Sequence, residues 1–155
     1  GVLYAGLMVT SDGPKVIEFN ARFGDPETQV VLPRLKTDLV DVLLAVVEGN
    51  LDKQKIEWTD QAAVCVVMTS PGYPGSYPNG LEIHFPEEVE NHTFIIHAGT
   101  KETEDKIVTA GGRVLGITAL GDSLIESLKR AYQTVEQVRF EGAHYRTDIA
   151  KKAVQ

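Results

Sequence analysis

The first quarter of the chain sets the tightest constraint on its fold. Two extended runs, 2–10 and 15–23, flank Ser11-Asp12-Gly13-Pro14. Asp-Gly followed by Pro is turn chemistry, so the two runs pair as a hairpin. In the second run Ile17, Phe19 and Ala21 alternate with Glu18, Asn20 and Arg22, the period-two pattern of a strand with two unlike faces. A lone strand pair cannot cover both of its faces. The segment is therefore expected to be the end of a larger domain. The chain, which opens at Gly1 inside a strand-like run, is expected to be a fragment.

Beyond the hairpin, Asp25-Pro26 reads as the N-cap and first residue of a helix carrying Val30, Val31 and Leu35, with Pro33 disturbing it. Thr37 is placed to cap a second helix, on which Leu39, Leu43 and Val46 recur at helical spacing and which Gly49 ends. A polar connector follows at 53–60. The pattern then changes to short strands at 62–69, 81–85, 93–98, 106–109 and 113–119. The loop Ser70-Pro71-Gly72-Tyr73-Pro74-Gly75 separates the first two, and Ala110-Gly111-Gly112 reads as a hairpin turn. Ser123-Leu124-Ile125-Glu126 is a capping box, opening a helix whose apolar face includes Leu124, Leu128, Ala131 and Val135. A short extended tail holds Phe140 and Tyr145. The expected division is 1–56, a strand pair with two helices, and 57–155, a small β-rich, barrel-like domain with one long helix. The fold class is α+β.

Composition narrows the function classes. With 155 residues, 43% of them hydrophobic, the chain can bury a core without staples and is not disordered. Cys65 is the one cysteine, which excludes an internal disulfide and a Cys-rich zinc site; it reads as a buried small hydrophobe. No apolar run approaches the 18 residues of a transmembrane helix, and no signal peptide is recognisable. The 22 acidic against 15 basic residues give a net charge of -7, which argues against capture of nucleic acid. A soluble cytoplasmic protein is expected.

Glu18, Asn20 and Arg22 are the most informative polar set. Alternate residues of a strand project together, so a carboxylate, an amide oxygen and a guanidinium share one face. The first two are hard oxygen ligands suited to Mg²⁺, which bridges nucleotide phosphates, and the third can neutralise phosphate oxygens. Asp25 follows at the mouth of the first helix. The competing explanation is a strand whose polar face is merely solvated. His84, His92, His97 and His144 lack metal-ligand spacing, and neither a phosphate-binding loop motif nor a serine-hydrolase elbow occurs.

The string from Gly13 to Glu27, which contains Glu18-Phe19-Asn20-Ala21-Arg22-Phe23-Gly24-Asp25-Pro26, resembles the signature near the end of the ATP-grasp domain in the phosphoribosylamine–glycine ligase (glycinamide ribonucleotide synthetase) family. Similar resemblances run through Gly1-Val2-Leu3-Tyr4-Ala5-Gly6-Leu7, Thr69-Ser70-Pro71-Gly72-Tyr73-Pro74-Gly75 and His97-Ala98-Gly99-Thr100. They continue through Gly111-Gly112-Arg113-Val114-Leu115-Gly116 and the stretch from Phe140 to Asp148, covering essentially the whole chain in order.

The resemblance implies that 1–56 completes an ATP-grasp domain supplied by a missing N-terminal portion of the same enzyme. It implies a ligase of purine biosynthesis that joins glycine to 5-phosphoribosylamine with ATP through an acyl phosphate, and a Mg²⁺ (or Mn²⁺) requirement. Glu18 and Asn20 match the family's metal positions. Arg22 and Asp25 match positions that contact phosphate groups or the ribosyl substrate, Arg22 with a catalytic role. Arg113 matches an arginine that reaches the substrate 5′-phosphate. The pattern departs at Ala5-Gly6-Leu7, where many ATP-grasp enzymes carry a further acidic ligand about a dozen residues before the Glu of the pair. The fragment alone is expected to be inactive. The alternatives are a non-enzymatic phosphosugar- or partner-binding module and another purine-pathway ATP-grasp enzyme, against which Arg-Phe-Gly-Asp-Pro-Glu after the pair argues.

Overall fold

A computed structural model describes residues 1–154. The chain divides into two compact units, Gly1–Thr59 and a second from Asp60 onward.

In the first unit β1 (Tyr4–Thr10) and β2 (Gly13–Asn20) form the antiparallel hairpin. Thr10 pairs with Gly13 around Ser11-Asp12, and Gly13 sits at a φ of 93° that L side chains rarely adopt. The strand ends at Asn20, three residues before the expected limit, so Arg22 lies beyond it. The first helix also departs from expectation. The Asp25-Pro26 peptide is cis, and α1 is the single turn Thr28–Val31 with Glu27 as its N-cap. Pro33 is the second residue of a 3₁₀ turn, Leu32–Arg34, still within the first turn, where a missing N–H is tolerated. Helix α2 (Leu39–Val47) is capped not by Thr37 but by Asp38, whose side chain accepts from the Val40 N–H. Thr37 instead bonds the connector: its Oγ1 accepts from the Glu57 N–H at 2.7 Å. Gly49 follows α2 at a φ of 70°, as a helix stop requires.

Among the described residues, Ala45 is the one buried hydrophobic side chain of this unit. Leu7, Val9, Val16 and Phe19 on one face of the hairpin, and Val40, Leu44 and Val47 of α2, are 52–84% exposed.

The second unit holds the core. Strands β3 (Ala62–Thr69), β4 (Thr93–His97), β7 (Arg113–Gly121) and β8 (His144–Tyr145) form an antiparallel sheet in the order β4-β7-β3-β8. Of the two central strands, β3 alternates, with Val64, Val66 and Met68 buried under α3 (Leu124–Gln137), while β7 is buried at every position from Val114 to Gly121. The N-cap forms as expected, Ser123 Oγ accepting from the Glu126 N–H at 3.2 Å, while the Glu126 carboxylate reaches one residue further back than a strict capping box, Oε2 accepting from the Asp122 N–H at 2.8 Å. Ala131 and Val135 face the sheet, and the buried Ser127 hydroxyl reaches the Ala62 carbonyl at 3.0 Å. Phe140 fills the end of the core, and the tail closes over α3 through the Tyr132 hydroxyl, which donates to the Arg146 carbonyl at 2.6 Å.

Three expectations fail here. Ala110-Gly111-Gly112 is not a hairpin turn, because β6 (Lys106–Thr109) pairs with β5 (Thr100–Thr103) in a separate ribbon and β7 enters the large sheet. The 81–85 segment forms isolated bridges, Glu82 to Val108 and His84 to Arg139, in place of a strand. Cys65 is half-buried on the sheet face turned away from α3, where alternation puts it.

Ile117→Ala, which empties a fully buried central position, should lower stability by about 2–5 kcal/mol. Ile125→Ala, on the solvent side of α3 at 65% exposure, should stay within about 0.5 kcal/mol. Urea unfolding of both variants gives the comparison.

Candidate functional site

The hairpin register decides which side chains meet. From the turn, Thr10↔Gly13 through Leu7↔Val16 proceeds one for one, but Gly6 then pairs with Glu18. Ile17 is thus one extra residue on β2, a bulge immediately before Glu18. Past it, Ala5 opposes Phe19 and Tyr4 opposes Asn20. Directly opposed residues share a face, so Tyr4, Gly6, Glu18 and Asn20 project together while Ala5 and Phe19 turn to the other side.

On that face Asn20 Nδ2 donates to Glu18 Oε1 at 3.0 Å. A Cβ on Gly6 would stand 3.2 Å from Glu18 Cγ, so the glycine leaves the space the carboxylate arm occupies. The Tyr4 hydroxyl donates to Glu27 Oε1 at 3.2 Å. The half-buried Tyr4 phenol is pushed above its ordinary value of 10.0, first by partial loss of solvent, then by the charge and hydrogen bond of Glu27 and the charge of Glu18. It therefore stays neutral and able to donate across the neutral pH range.

Glu18 and Asn20, expected to act together, are brought together. Arg22 does not join them on the strand, because the strand has ended; its Nη1 donates to the Phe23 carbonyl at 3.0 Å. Asp25 Oδ1 accepts from Gln29 Nε2 at 2.9 Å, one helical turn on, and Gln29 Oε1 is buried without a hydrogen-bond partner.

A divalent cation is compatible with this face in one specific way. Glu18 and Asn20 supply one carboxylate and one amide, and the amide offers oxygen once turned about its last side-chain bond. Among the described residues no group of three or more His, Cys, Asp or Glu is placed to hold a metal. The pair therefore fits an ion that keeps most of its shell as water and phosphate oxygens, which is the habit of Mg²⁺, and does not fit a fully protein-bound one.

In the second unit Arg113 opens β7 and is exposed. Its register is also bulged: Met68 pairs with Leu115 but Thr69 with Arg113, leaving Val114 extra. Val114 and Leu115, consecutive in sequence, both enter the core, and Arg113 is thereby turned out beside Thr69.

Residues 63–152 match the family model described as phosphoribosylglycinamide synthetase, C domain, and residues 1–28 match that of the same synthetase's ATP-grasp (A) domain. The chain belongs to the phosphoribosylglycinamide synthetase family. It is 58% identical over 150 residues to the phosphoribosylamine–glycine ligase of Caldanaerobacter subterraneus subsp. tengcongensis, covering 97% of this chain and 36% of that protein. It is 51% identical over 156 residues to the chicken (Gallus gallus) trifunctional purine biosynthetic protein adenosine-3, covering 99% of this chain and 16% of that one. The crystal structure of phosphoribosylamine–glycine ligase from Thermotoga maritima matches with a TM-score of 0.76 at 37% identity, covering 94% of this chain and 36% of that one. The chain thus spans about 36% of the length of these two phosphoribosylamine–glycine ligases.

Tyr4, Gly6 and Glu27 are the site residues that the alternation of β2 does not disclose. The available signal was the hairpin itself, since cross-strand neighbours of Glu18 and Asn20 must come from β1; only the bulge assigns which ones.

Because Glu27 helps hold the phenol proton, Glu27→Gln should bring the Tyr4 titration down toward 10.0. The raised value also sets a sign. The contribution of Tyr4 to stability is whole below about pH 10 and is lost as pH rises through the folded-state value. Ultraviolet titration of tyrosinate, with Tyr4→Phe to identify the Tyr4 component, measures both; an unmoved Tyr4 component would show that Glu27 does not act on it.

Proposed function

We propose that the chain is the portion of a phosphoribosylamine–glycine ligase that supplies one wall of the ATP·Mg²⁺ site and a substrate-facing small domain. The intact enzyme, acting in the cytoplasm, joins glycine to 5-phosphoribosylamine in purine biosynthesis, giving glycinamide ribonucleotide, ADP and phosphate. The observation that carries this reading is the Glu18–Asn20 pair on one face of a hairpin that lies within the segment matching the ATP-grasp domain.

The chemistry asks one anion to attack another. The glycine carboxylate takes the γ-phosphoryl group of ATP, ADP leaves, and the amine of phosphoribosylamine then displaces phosphate from glycyl phosphate. Mg²⁺, or Mn²⁺, when bound supplies positive charge among the phosphate oxygens. Glu18 and Asn20 are the ligands this chain would give it. Arg22, just past the strand, adds a fixed positive charge for phosphate oxygens, with Asp25 beside it toward the ribosyl substrate. Tyr4 remains a neutral donor held by Glu27, so it adds no negative charge to that face. Arg113 is assigned to the substrate 5′-phosphate, for which a guanidinium gives paired donors.

The partner of the first unit is the remainder of the ATP-grasp domain, in the N-terminal portion of the same enzyme. Two features support this: the unit buries one hydrophobic side chain among its described residues, and it leaves Leu7, Val9, Val16 and Phe19 exposed on the hairpin face opposite Glu18. Antiparallel sheets of this kind need one face covered to be stable.

In the full-length enzyme, Glu18→Ala and Asn20→Ala should each raise the Mg²⁺ requirement and cut turnover by about 10²-fold or more, since each removes an oxygen that acts at phosphoryl transfer. Near-normal kinetics in both variants at low Mg²⁺ would reduce the pair to a solvated face. The purified 155-residue chain by itself should show no ligase turnover with glycine, phosphoribosylamine and ATP. Robust product formation by that chain, free of any longer form, would overturn the assignment of the missing functions to the N-terminal portion.

A further inference from the structure

We infer that Tyr73 is a positioning residue for Arg113: its ring fixes the backbone from which the guanidinium projects. This rests on the assignment of Arg113 to the ribosyl 5′-phosphate.

The ring of Tyr73 lies directly on Gly112, the residue before Arg113. A Cβ at Gly112 would clash with the Cδ2–Cε2 edge of the ring, 2.5 Å from Cε2 and closer still to Cδ2, so the ring can sit where it does only over a glycine. Gly112 is buried there, while Tyr73 itself stays 40% exposed. A ring serving the core would be buried in it; this one is held at the surface. Gly72, at a φ of 89° and with room for a Cβ blocked by the Ser76 carbonyl at 2.5 Å, shapes the turn that directs the ring. Tyr77 flanks it at 6.1 Å between centroids.

The backbone around Arg113 is restrained from its other sides as well. Fully buried Ser70 binds the two glycines: its Oγ donates to the Gly111 carbonyl and its N–H to the Gly112 carbonyl, both at 2.8 Å. The Gly99 N–H donates to the Arg113 carbonyl at 2.8 Å, and a Cβ on Gly99 would stand 2.6 Å from that oxygen. On the C-terminal side the Val114 bulge turns Arg113 out of the core face. Arg113 is thus bracketed by a bulge after it and a ring-covered glycine before it. Of these restraints, Tyr73 is the one made by a large, half-exposed side chain. An arginine already held at its Cα gives up less freedom when it grips a phosphate, and that difference is read as substrate affinity.

Steady-state kinetics of the full-length enzyme, varying each substrate in turn, tests this. Tyr73→Ala should raise KM for phosphoribosylamine roughly tenfold, with KM for ATP and glycine unchanged. Tyr73→Phe, which keeps the ring, should match wild type, and Tyr73→Leu, which keeps apolar bulk without a flat ring, should show the defect if the alanine variant does not fold. Arg113→Ala should raise the same KM at least as far, and adding Tyr73→Ala to it should cost nothing more. A Tyr73→Ala effect shared by all three substrates, additivity with Arg113→Ala, or a Tyr73→Phe defect as large as that of alanine would overturn the inference. A wild type that makes no glycinamide ribonucleotide overturns the ligase reading and this inference with it. An Arg113→Ala variant with unchanged KM removes the phosphate assignment on which the inference stands. A normal Arg113 effect with no Tyr73 effect removes the Tyr73 role alone.

Discussion

Side-chain direction in a β-strand is binary, and a one-residue slip inverts it for everything that follows. Each of the two units has one strand that carries candidate functional residues, and each of those strands uses that slip once, next to the residue that matters. In β2 the extra Ile17 sets Glu18 opposite Gly6 and Asn20 opposite Tyr4. In β7 the extra Val114 sends two consecutive apolar residues inward and turns Arg113 out. Without the first bulge Gly6 would oppose Ile17, and the space that Glu18 occupies would not be open to it. Without the second, strict alternation from buried Leu115 would place Arg113 on the face of the sheet that packs against α3, where an unpaired charge is far too costly to bury. The bulges reconcile a core that needs apolar residues with a site that needs charge a residue or two away.

Much of the fold was legible because local chemistry and burial agree. Strand β3 runs over 62–69 as the alternating Val64, Val66 and Met68 require, and the Ser123-to-Glu126 box opens α3 where it should. What escaped was decided by pairing partners far away in sequence. Gly111-Gly112 has the composition of a hairpin turn, yet the strands on either side of it belong to different sheets. The glycines are there because Gly99 and Tyr73 press on them, a demand of packing from 13 and 39 residues upstream of Gly112 and not of turn conformation. Residues 81–85 have strand-like composition but find partners at single positions, so they bridge without forming a ladder.

The site shows the same division. The Glu-x-Asn alternation was sufficient to pair Glu18 with Asn20, since two residues on one strand need only the strand to exist. Extending the face to Arg22 needed the strand to continue, and it stops at Asn20, before the Gly24 and Pro26 that break up the following segment. Tyr4, Gly6 and Glu27 were beyond the alternation of β2 because each depends on register or on a turn closing back. Counting outward from Ser11-Asp12 without a bulge places Gly6 against Ile17, one residue off and on the wrong face.

The two units also differ in how far they can hold a charged group still. Arg113 stands on a strand with buried residues from Val114 to Gly121, anchored by a packed helix. Glu18 and Asn20 stand on a hairpin whose opposite face is exposed and whose unit has one buried hydrophobic side chain among its described residues. Catalytic groups need placement within about 0.5 Å, which a two-stranded ribbon uncovered on its apolar face does not sustain in water. The role proposed for Glu18 and Asn20 therefore depends on whatever covers Leu7, Val9, Val16 and Phe19. Covering that face removes apolar surface from water and immobilises the strand that bears Glu18 and Asn20, so the stability of this half and the placement that the proposed ligand pair requires arrive in the same step.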